Sequence, residues 1–344
     1  MSELCPKCQG TGISPLRRAI QAPEGHVIVV RDLSAIEARV NAWNAGQDDM
    51  VDIFRRGECV YCDMYRTISG VAITKKDKNE RFLGKTVVLG CGYGLGWRKF
   101  QGMLRVGMLG DKGRILGQNI ADPLGVHLDG FLHRNIGFVR ESLPPGVDET
   151  THALHCACAE KIIRTFRDNK PKIPEFWDTC QEMLGRILVG DHCEFGRAGL
   201  VTCREGIIMP NGMLIRYVEL EVEQKGKRKE YSILKNRRKG ERSKVYGGLM
   251  TENCTQSLSR IIITDAMLST QDWFNRRNAT KNLNPKQYIR KVVHQVHDEI
   301  LCVVPEQEAE ETFDRMGEIM SRQPPWAPDL PLASEGGWNR CYIK

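Results

Sequence analysis

The chain has 344 residues, too many for one small domain, and 41% of them are apolar, which excludes wholesale disorder. No apolar run approaches the roughly 20 residues of a membrane span, and the N-terminus lacks a signal-peptide core, so a membrane protein is excluded. The formal charge of +7 is modest but concentrated, because residues 225–244 hold ten Lys or Arg against two Glu. That run predicts either a solvated basic hairpin or a contact with a nucleic-acid backbone.

Regular elements are predicted along most of the chain. "HVIVVRDLS" is typical of a strand that ends at Asp32, and "SAIEARVNAWNAG" after it of a helix. The stretch "PNGMLIRYVELEVEQKGKRKEYSIL" predicts a hairpin that turns at 225–227. Residues 108–150 are rich in Gly and Pro and poorly periodic, which predicts an insertion rather than a core element. Helical periodicity predicts further helices at about 47–68, 75–93, 151–168, 172–188 and 247–273.

Thirteen cysteines are scattered without a compact framework, which indicates reduced thiols and a cytoplasmic location. Cys5 and Cys8 in "CPKCQGTG", and Cys59 and Cys62 in "CVYC", each have the spacing of half a zinc site. The second pair falls in a segment of helical periodicity, so unassigned thiols are favoured over zinc. The run "HALHCACAEKIIRTF" at 152–166 predicts small buried residues on an amphipathic helix rather than a metal site.

Near the C-terminal end, "VVHQVHDEILCVVP" predicts strand, brief polar interruption and strand. An unpaired buried carboxylate costs several kcal/mol, so Asp298 and Glu299 need a partner such as a metal ion, and the alternative is a two-residue hairpin turn in solvent. Sheet pairing that brought Asp32 beside Asp298 would allow the two aspartates to hold two Mg²⁺ ions. Such a pair alone fits a nuclease, a phosphatase or a polymerase equally well.

The helix predicted at 75–93 carries a stripe of residues four apart, with two cations at one end and an apolar and an aromatic side chain at the other. This is the layout that a nucleoside triphosphate would need, and the alternative is an amphipathic helix with the last two residues in the core. A dinucleotide-binding motif is excluded, because the third position of GxGxxG is Leu95. The stripe consists of Arg81, Lys85, Leu89 and Tyr93.

Three motifs resemble those of the family A, DNA polymerase I-like, DNA polymerases. "VRDLSAIEARVNAWNAG" resembles the first palm motif, "RFLGKTVVLGCGYG" the fingers helix and "VHDEI" the second palm motif. The segments "SPLRRAIQAPEGHVIV", "NCTQSLSRIIITDAM" and "PPWAPDLPLASEGGW" resemble bacteriophage members. The resemblance covers most of residues 14–344 and leaves the tail at 1–12 outside it.

The resemblance implies an α+β right-hand polymerase with an antiparallel palm sheet and helical fingers. We expect an N-terminal tail at 1–13, palm at 14–46, helical fingers at 47–200 with the insertion at 108–150, and the basic hairpin with the rest of the palm at 201–344. Primer-template DNA and deoxynucleoside triphosphates are the implied partners, two Mg²⁺ ions the cofactors, with Mn²⁺ as a substitute. The host cytoplasm is the implied location if the protein is viral.

Carried over motif by motif, the resemblance also implies residue roles. Asp32 and Asp298 would be the catalytic metal ligands, together with the Leu33 carbonyl and with support from Glu299. Glu37 would lie against the sugar of the nucleotide and exclude a 2′-hydroxyl. Arg81 and Lys85 would bind the triphosphate, Leu89 and Tyr61 would also face the nucleotide, and Tyr93 would close over the templating pair. Primer-template contacts are implied for Arg39, Gln256 and His297.

The sequence also departs from the family. Leu89 stands where Phe or Tyr is more frequent, and Tyr61 where many members have a phosphate-contacting His. The thumb and the first palm strands should precede the first motif, and 13 residues cannot hold them. We therefore expect either a separate polypeptide that supplies the thumb and an exonuclease, or a catalytically impaired DNA-binding remnant. A single-subunit RNA polymerase is a further alternative, against which Glu37 argues.

Overall fold

The computed structural model describes residues 15–107, 113–226, 228–236, 239–279 and 290–343. The chain divides into two compact units: unit 1 comprises Met1–Ile36 and Gln256–Lys344, and unit 2 comprises Glu37–Thr255. Unit 2 is therefore inserted into the sequence of unit 1. The predicted tail at 1–13, with the CxxC pair of Cys5 and Cys8, lies outside the described residues.

Helices and strands alternate in blocks along the chain. The helices are α1 (Pro15–Ala19), α2 (Ile36–Ala45), α3 (Asp48–Arg55), α4 (Val60–Ser69), α5 (Lys78–Cys91), α6 (Trp97–Val106), α7 (Gln118–Ala121), α8 (Leu128–Glu141), α9 (Glu149–Asn169), α10 (Lys172–Val189), α11 (Gly247–Ala279) and α12 (Ala309–Met320). The strands are β1 (His26–Leu33), β2 (Glu194–Phe195), β3 (Leu200–Cys203), β4 (Gly206–Ile208), β5 (Leu214–Arg216), β6 (Glu221–Lys225), β7 (Arg228–Asn236), β8 (Glu241–Val245), β9 (Lys291–Val296), β10 (Glu299–Pro305) and β11 (Ser334–Asn339).

Unit 1 is built on a four-stranded antiparallel sheet with the strand order β11-β1-β10-β9. Strand β1 is paired on both edges and is buried from Val27 to Val30, which explains its continuous run of β-branched residues. Ile28 and Val30 point to one face, where they pack with Leu301 and Tyr342. Helix α12 covers the other face.

Arg31 marks the face that α12 covers. Its guanidinium lies 3.8 Å from the centroid of the Phe313 ring, and its Nη1 donates to the Ser334 hydroxyl at 2.8 Å. A Cβ on Gly317 would come within 2.2 Å of that nitrogen, so the glycine allows the helix to lie close to the sheet. Because side chains alternate along a strand, Asp32 points to the opposite face from Arg31.

The helices of unit 2 follow the predicted periodicity. The segment predicted as one helix at 47–68 is two, α3 and α4, separated by residues 56–59. His155 on α9 is buried, accepts the Leu116 N–H at 3.0 Å through Nδ1 and lies 2.9 Å from the Gln101 carbonyl through Nε2. Burial lowers the pKa of this imidazole. The prediction of small buried residues on an amphipathic helix at 152–166 is therefore confirmed.

The prediction that residues 108–150 contribute no core element is wrong for the described part, 113–150. Helix α8 buries Phe131 and Val139 against Ala153, Cys156 and Ala157 of α9. The periodicity was masked because glycines and charged residues occupy much of α8. In the described parts of the chain, no helix is long and apolar enough to cross a membrane.

The predicted hairpin is formed by β6 and β7, with Lys225 opposite Arg228, and β8 extends it to a three-stranded sheet. Strand β5 belongs instead to a separate sheet with the order β2-β3-β4-β5. Several basic side chains are paired within the three-stranded sheet: Lys225 and Lys244 with Glu230, and Arg242 with Glu221. These ion pairs occupy three of the basic side chains that a contact with a nucleic-acid backbone would use.

Candidate active site

The pairing of β1 with β10 brings the two predicted aspartates to one end of the unit 1 sheet. Asp32 lies opposite Glu299, and the Leu33 N–H donates to the Asp298 carbonyl at 3.0 Å. Asp32 is buried, with 9% of its surface exposed, and Asp298 is half-buried. Strands separated by more than 260 residues of sequence thus bring the two aspartates to neighbouring positions of the sheet.

Asp298 is the second residue of a two-residue turn between β9 and β10, in which Val296 pairs with Glu299. The first turn residue, His297, is exposed and has φ 53°, a left-handed conformation that costs a non-glycine residue about 1–2 kcal/mol. The Gln295 Nε2 donates to the His297 carbonyl at 2.8 Å and stabilises the turn. Of the two alternatives from sequence, the hairpin turn is present, and it lies beside Asp32.

Glu299 is buried under two residues that sequence patterns did not single out. The Tyr342 hydroxyl donates to the Glu299 carboxylate, and the Arg17 guanidinium lies 3.8 Å from Glu299 Oε1. Arg17 also covers the Tyr342 ring at 4.8 Å. Burial, followed by the neighbouring carboxylate, raises the pKa of Tyr342 to about 12, so the phenol stays a donor. Glu299 is thereby fixed in orientation next to Asp298.

The donor set at this end of the sheet fits a hard divalent cation. Within the described residues, no group of three or more His, Cys, Asp or Glu is arranged to hold a metal ion. Two aspartates and a backbone carbonyl, such as that of Leu33, would fill only some of the coordination positions of a metal ion. Mg²⁺ takes such a set, because it keeps waters and binds substrate phosphates in its remaining positions. Mn²⁺ shares the preference for carboxylate, carbonyl and water.

The predicted stripe of residues four apart lies on the half-exposed face of helix α5, in unit 2. Arg81, Lys85 and Leu89 are half-buried, whereas Leu83, Val87, Val88 and Cys91 form the buried face. Tyr93 lies two residues past the end of the helix and is half-buried as well. Leu89 and Tyr93 are thus partly buried, and the nucleotide-binding role of the stripe stays a prediction.

Helix α5 is pressed against α4 at a glycine. A Cβ on Gly84 would lie 2.0 Å from the Tyr61 carbonyl oxygen, so only glycine allows this approach. The contact places Arg81 over the Tyr61 ring, 5.1 Å from its centroid, and its Nε 3.4 Å from the Cys59 sulfur. Tyr61 itself is buried, and burial raises its pKa to about 12. The buried Tyr61 ring thus packs against the Arg81 guanidinium and limits its movement.

Glu37 and Tyr93 face each other within unit 2. The Tyr93 hydroxyl donates to Glu37 Oε2 at 3.4 Å. Burial, and then the charge of Glu37, raises the pKa of Tyr93 well above its ordinary value, so this hydroxyl stays protonated. The carbonyl of Gly92, next to Tyr93, accepts the Trp177 indole N–H at 2.8 Å. The aromatic ring and the carboxylate are therefore held in a fixed relation.

The residues predicted to contact DNA differ in accessibility. Gln256 and His297 are exposed. Arg39 is only 7% exposed, and its guanidinium lies 4.4 Å from the centroid of the Phe54 ring. Burial lowers the pKa of Arg39. The position of Arg39 does not support direct contact with a nucleic acid.

Comparison with known proteins agrees with these features. The family model of DNA polymerase family A matches residues 7–109. The DNA polymerase of Bacillus phage SP02 is 24% identical over 339 residues, which cover 96% of this chain and 43% of that polymerase. DNA polymerase I of Chloroflexus aurantiacus is 38% identical over 80 residues, or 23% of this chain and 8% of the relative. The chain is thus similar in sequence to family A DNA polymerases, most clearly over residues 7–109.

A solved structure of the POL domain of Pol1 from M. smegmatis, in complex with DNA primer-template and dNTP, has a TM-score of 0.56 and 17% identity. The aligned region covers 95% of this chain and 42% of the solved chain. The similarity confirms the predicted fold, an α+β polymerase body with an antiparallel sheet. The chain spans less than half the length of these polymerase relatives.

Proposed function

We propose that this chain carries the palm and fingers of a DNA-directed DNA polymerase, which adds deoxynucleotides to a primer 3′-hydroxyl under the direction of a template. Unit 1 would be the palm and unit 2 the fingers. The observation that carries the proposal is the placement of Asp32 and Asp298 at one end of an antiparallel sheet by strands distant in sequence. The relationship to family A polymerases supports the reaction class.

In this proposal Asp32, Asp298 and the Leu33 carbonyl hold two divalent cations, with Mg²⁺ preferred. When bound, such ions lower the pKa of an attacking hydroxyl and neutralise charge on the phosphate and the leaving group. The half-buried Asp298 faces the substrate side, while the buried Glu299, held by Tyr342 and Arg17, keeps the turn in place. These residues supply charge and position, and none forms a covalent intermediate.

The nucleotide is bound by the half-exposed face of α5. Arg81 and Lys85 are cations one helical turn apart and would bind the triphosphate, while Leu89 and Tyr93 lie toward the sugar and base. Arg81 is supported by the Tyr61 ring, which limits the freedom of its guanidinium. Gln256 and His297 are exposed and suited to contacts with primer-template DNA. The Bacillus phage relative supports a role in viral DNA replication.

Primer extension on a fluorescent hairpin tests the proposal directly. The full chain is incubated with the hairpin, Mg²⁺ and either deoxynucleotides or ribonucleotides, with the Asp298→Asn variant as the control. Extension by deoxynucleotides that the variant lacks supports the proposal. Hairpin binding without extension would support a non-catalytic remnant instead, and equal use of ribonucleotides would support an RNA polymerase.

Replacement of Glu37 by Ala is expected to raise ribonucleotide incorporation about 10- to 100-fold relative to deoxynucleotides. The carboxylate that Tyr93 orients would no longer crowd a 2′-hydroxyl. Single-turnover incorporation of one dNTP and of the matching rNTP measures the ratio. Glu252→Ala, which removes another carboxylate close to Tyr93, is the matched control and should leave the ratio unchanged. An unchanged ratio in Glu37→Ala would remove Glu37 from sugar selection.

A further inference from the structure

Two thiols lie at the start of α4, beside the face that is proposed to bind the triphosphate. Cys59 directly precedes the helix in an extended conformation, with φ −94° and ψ 104°, and Cys62 is in the first turn. Cys59 is half-buried and Cys62 is buried. Residues three apart at a helix start lie on the same side, so the two sulfur atoms are neighbours. The proposed polymerase reaction uses neither thiol.

Arg81 contacts the first of these thiols. Its Nε donates to the Cys59 sulfur at 3.4 Å, and the Tyr61 ring holds its guanidinium in place. A helix N-terminus and an adjacent guanidinium are the surroundings that favour a thiolate. Burial alone would raise the pKa of Cys59, but the Cys62 backbone N–H and Arg81 outweigh it and lower the pKa.

The pKa of the second thiol, Cys62, is shifted in the opposite direction. Burial, followed by the interaction with Cys59, raises the pKa of Cys62 to about 11. A partly exposed thiol with a lowered pKa and, three residues later, a buried thiol with a raised pKa are the two partners that thiol–disulfide chemistry requires. A single reactive cysteine would lack the resolving partner.

We propose that Cys59 and Cys62 form a reversible redox pair that controls how freely Arg81 can bind the nucleotide triphosphate. The role of Arg81 in this inference rests on the proposed function, whereas the chemistry of the two thiols does not. The co-reactant is a peroxide, and a small dithiol reverses the oxidation. The site is therefore a modification site at the edge of the nucleotide-binding face.

The chemistry balances in two steps. The Cys59 thiolate attacks one oxygen of hydrogen peroxide, which forms a sulfenic acid and releases hydroxide. The Cys62 thiol then loses its proton and attacks the Cys59 sulfur, and the departing hydroxide takes up that proton as water. Two thiols and one peroxide thus yield one disulfide and two waters. A dithiol returns two electrons and two protons and restores both thiols.

Arg81 couples the redox state to the nucleotide. In the reduced chain, the Cys59 sulfur, which accepts the Arg81 Nε–H, and a bound triphosphate compete for the same guanidinium. The competition is reciprocal, so nucleotide should slow the reactions of Cys59, and loss of the thiolate should strengthen nucleotide binding. Disulfide formation removes the negative charge from Cys59 and therefore releases Arg81.

Thiol reactivity tests the pair without any polymerase activity. The full chain is alkylated with iodoacetamide, and modification at each cysteine is followed by peptide mass spectrometry. Cys59 should react at least about tenfold faster than Cys193, another half-buried thiol of unit 2, which contacts a backbone carbonyl instead of a guanidinium. Saturating dNTP or inorganic triphosphate should slow Cys59 at least about threefold and leave Cys193 unchanged. Peroxide should then produce a peptide joining Cys59 and Cys62 that has lost two hydrogens.

Nucleotide kinetics test the coupling. We expect peroxide to lower the KM for dNTP about threefold in the wild-type chain, and dithiol to restore it. Cys59→Ser should show the lower KM in both redox conditions, because it lacks the thiolate. Cys62→Ser should keep the higher KM in the reduced state and form no internal disulfide.

The outcomes separate the two proposals. Equal alkylation of Cys59 and Cys193, absence of the disulfide, or stoichiometric zinc held by the two thiols would overturn the redox pair. A disulfide that forms while KM stays constant would overturn the control of Arg81. Thiols that behave as expected in a chain that extends no primer in either state would support the pair and refute the polymerase function.

Discussion

Asp298→Asn is expected to reduce nucleotide incorporation at least 1000-fold, or about 4 kcal/mol in the transition state. Asn keeps the size and the turn preference of Asp, so the two-residue turn and the hydrogen bond from the Leu33 N–H should persist. What is lost is the negative charge that would hold the divalent cation next to Asp32. Affinity for primer-template DNA should change by less than about threefold, because it depends mainly on phosphate contacts. Single-turnover extension and fluorescence anisotropy measure the two quantities.

The matched control for this variant is Glu335→Gln. Glu335 lies opposite Asp32 on the other neighbouring strand, β11, and is exposed. Its replacement removes one negative charge from the same end of the sheet without touching a proposed ligand. We expect incorporation to stay within about tenfold of wild type. Near-normal incorporation by Asp298→Asn, with a wild-type unfolding curve, would refute the assignment of Asp298 as a metal ligand.

Gly84→Ala is expected to lower the free energy of unfolding of unit 2 by about 3 kcal/mol or more. The new methyl group would lie 2.0 Å from the Tyr61 carbonyl oxygen and 2.9 Å from its carbon, and both are backbone atoms that cannot rotate away. Helices α4 and α5 would have to separate. The gain of about 1 kcal/mol from the better helix propensity of Ala is too small to compensate. Urea unfolding followed by circular dichroism gives the change.

Gly102→Ala is the matched control, since Gly102 is inside helix α6 and a methyl group added there would meet no atom of the described residues within 4 Å. There the substitution should be neutral or stabilising by up to about 1 kcal/mol. Equal stability of the two variants would show that the contact between α4 and α5 is looser than the structure describes.

The palm-like sheet could be predicted largely from sequence. Strands β1 and β10, which adjoin Asp32 and Asp298, are mostly buried, so their Val- and Ile-rich runs stand out from their polar neighbours. The stripe on α5 was also visible, because positions four apart share a helix face. The motifs predict the roles of these residues, and those roles remain to be tested.

Other parts of the site have no local signal. Tyr342 is one aromatic residue in a short polar segment, and its contact with Glu299 depends on a sheet that joins distant strands. Gly84 has the same sequence appearance as any helical glycine, and only the position of Tyr61 reveals its function. Helix α8 was missed because only Phe131 and Val139 of its residues are buried, while glycines and charged residues interrupt the apolar pattern. Tertiary packing decided each of these cases.

The position of β1 between β10 and β11 has a consequence for biosynthesis. Its partners begin only at residues 299 and 334, and all of unit 2 is translated in the interval. Unit 2 has its own core and can fold on the ribosome, whereas the backbone N–H and C=O groups on both edges of β1 stay without strand partners during that time. During that wait its Val-rich sequence is a site for pairing with another chain, which makes the growing polypeptide a client for chaperones. A ribosome that stops before residue 299 releases a chain with folded helices, an aggregation-prone strand and no paired aspartates.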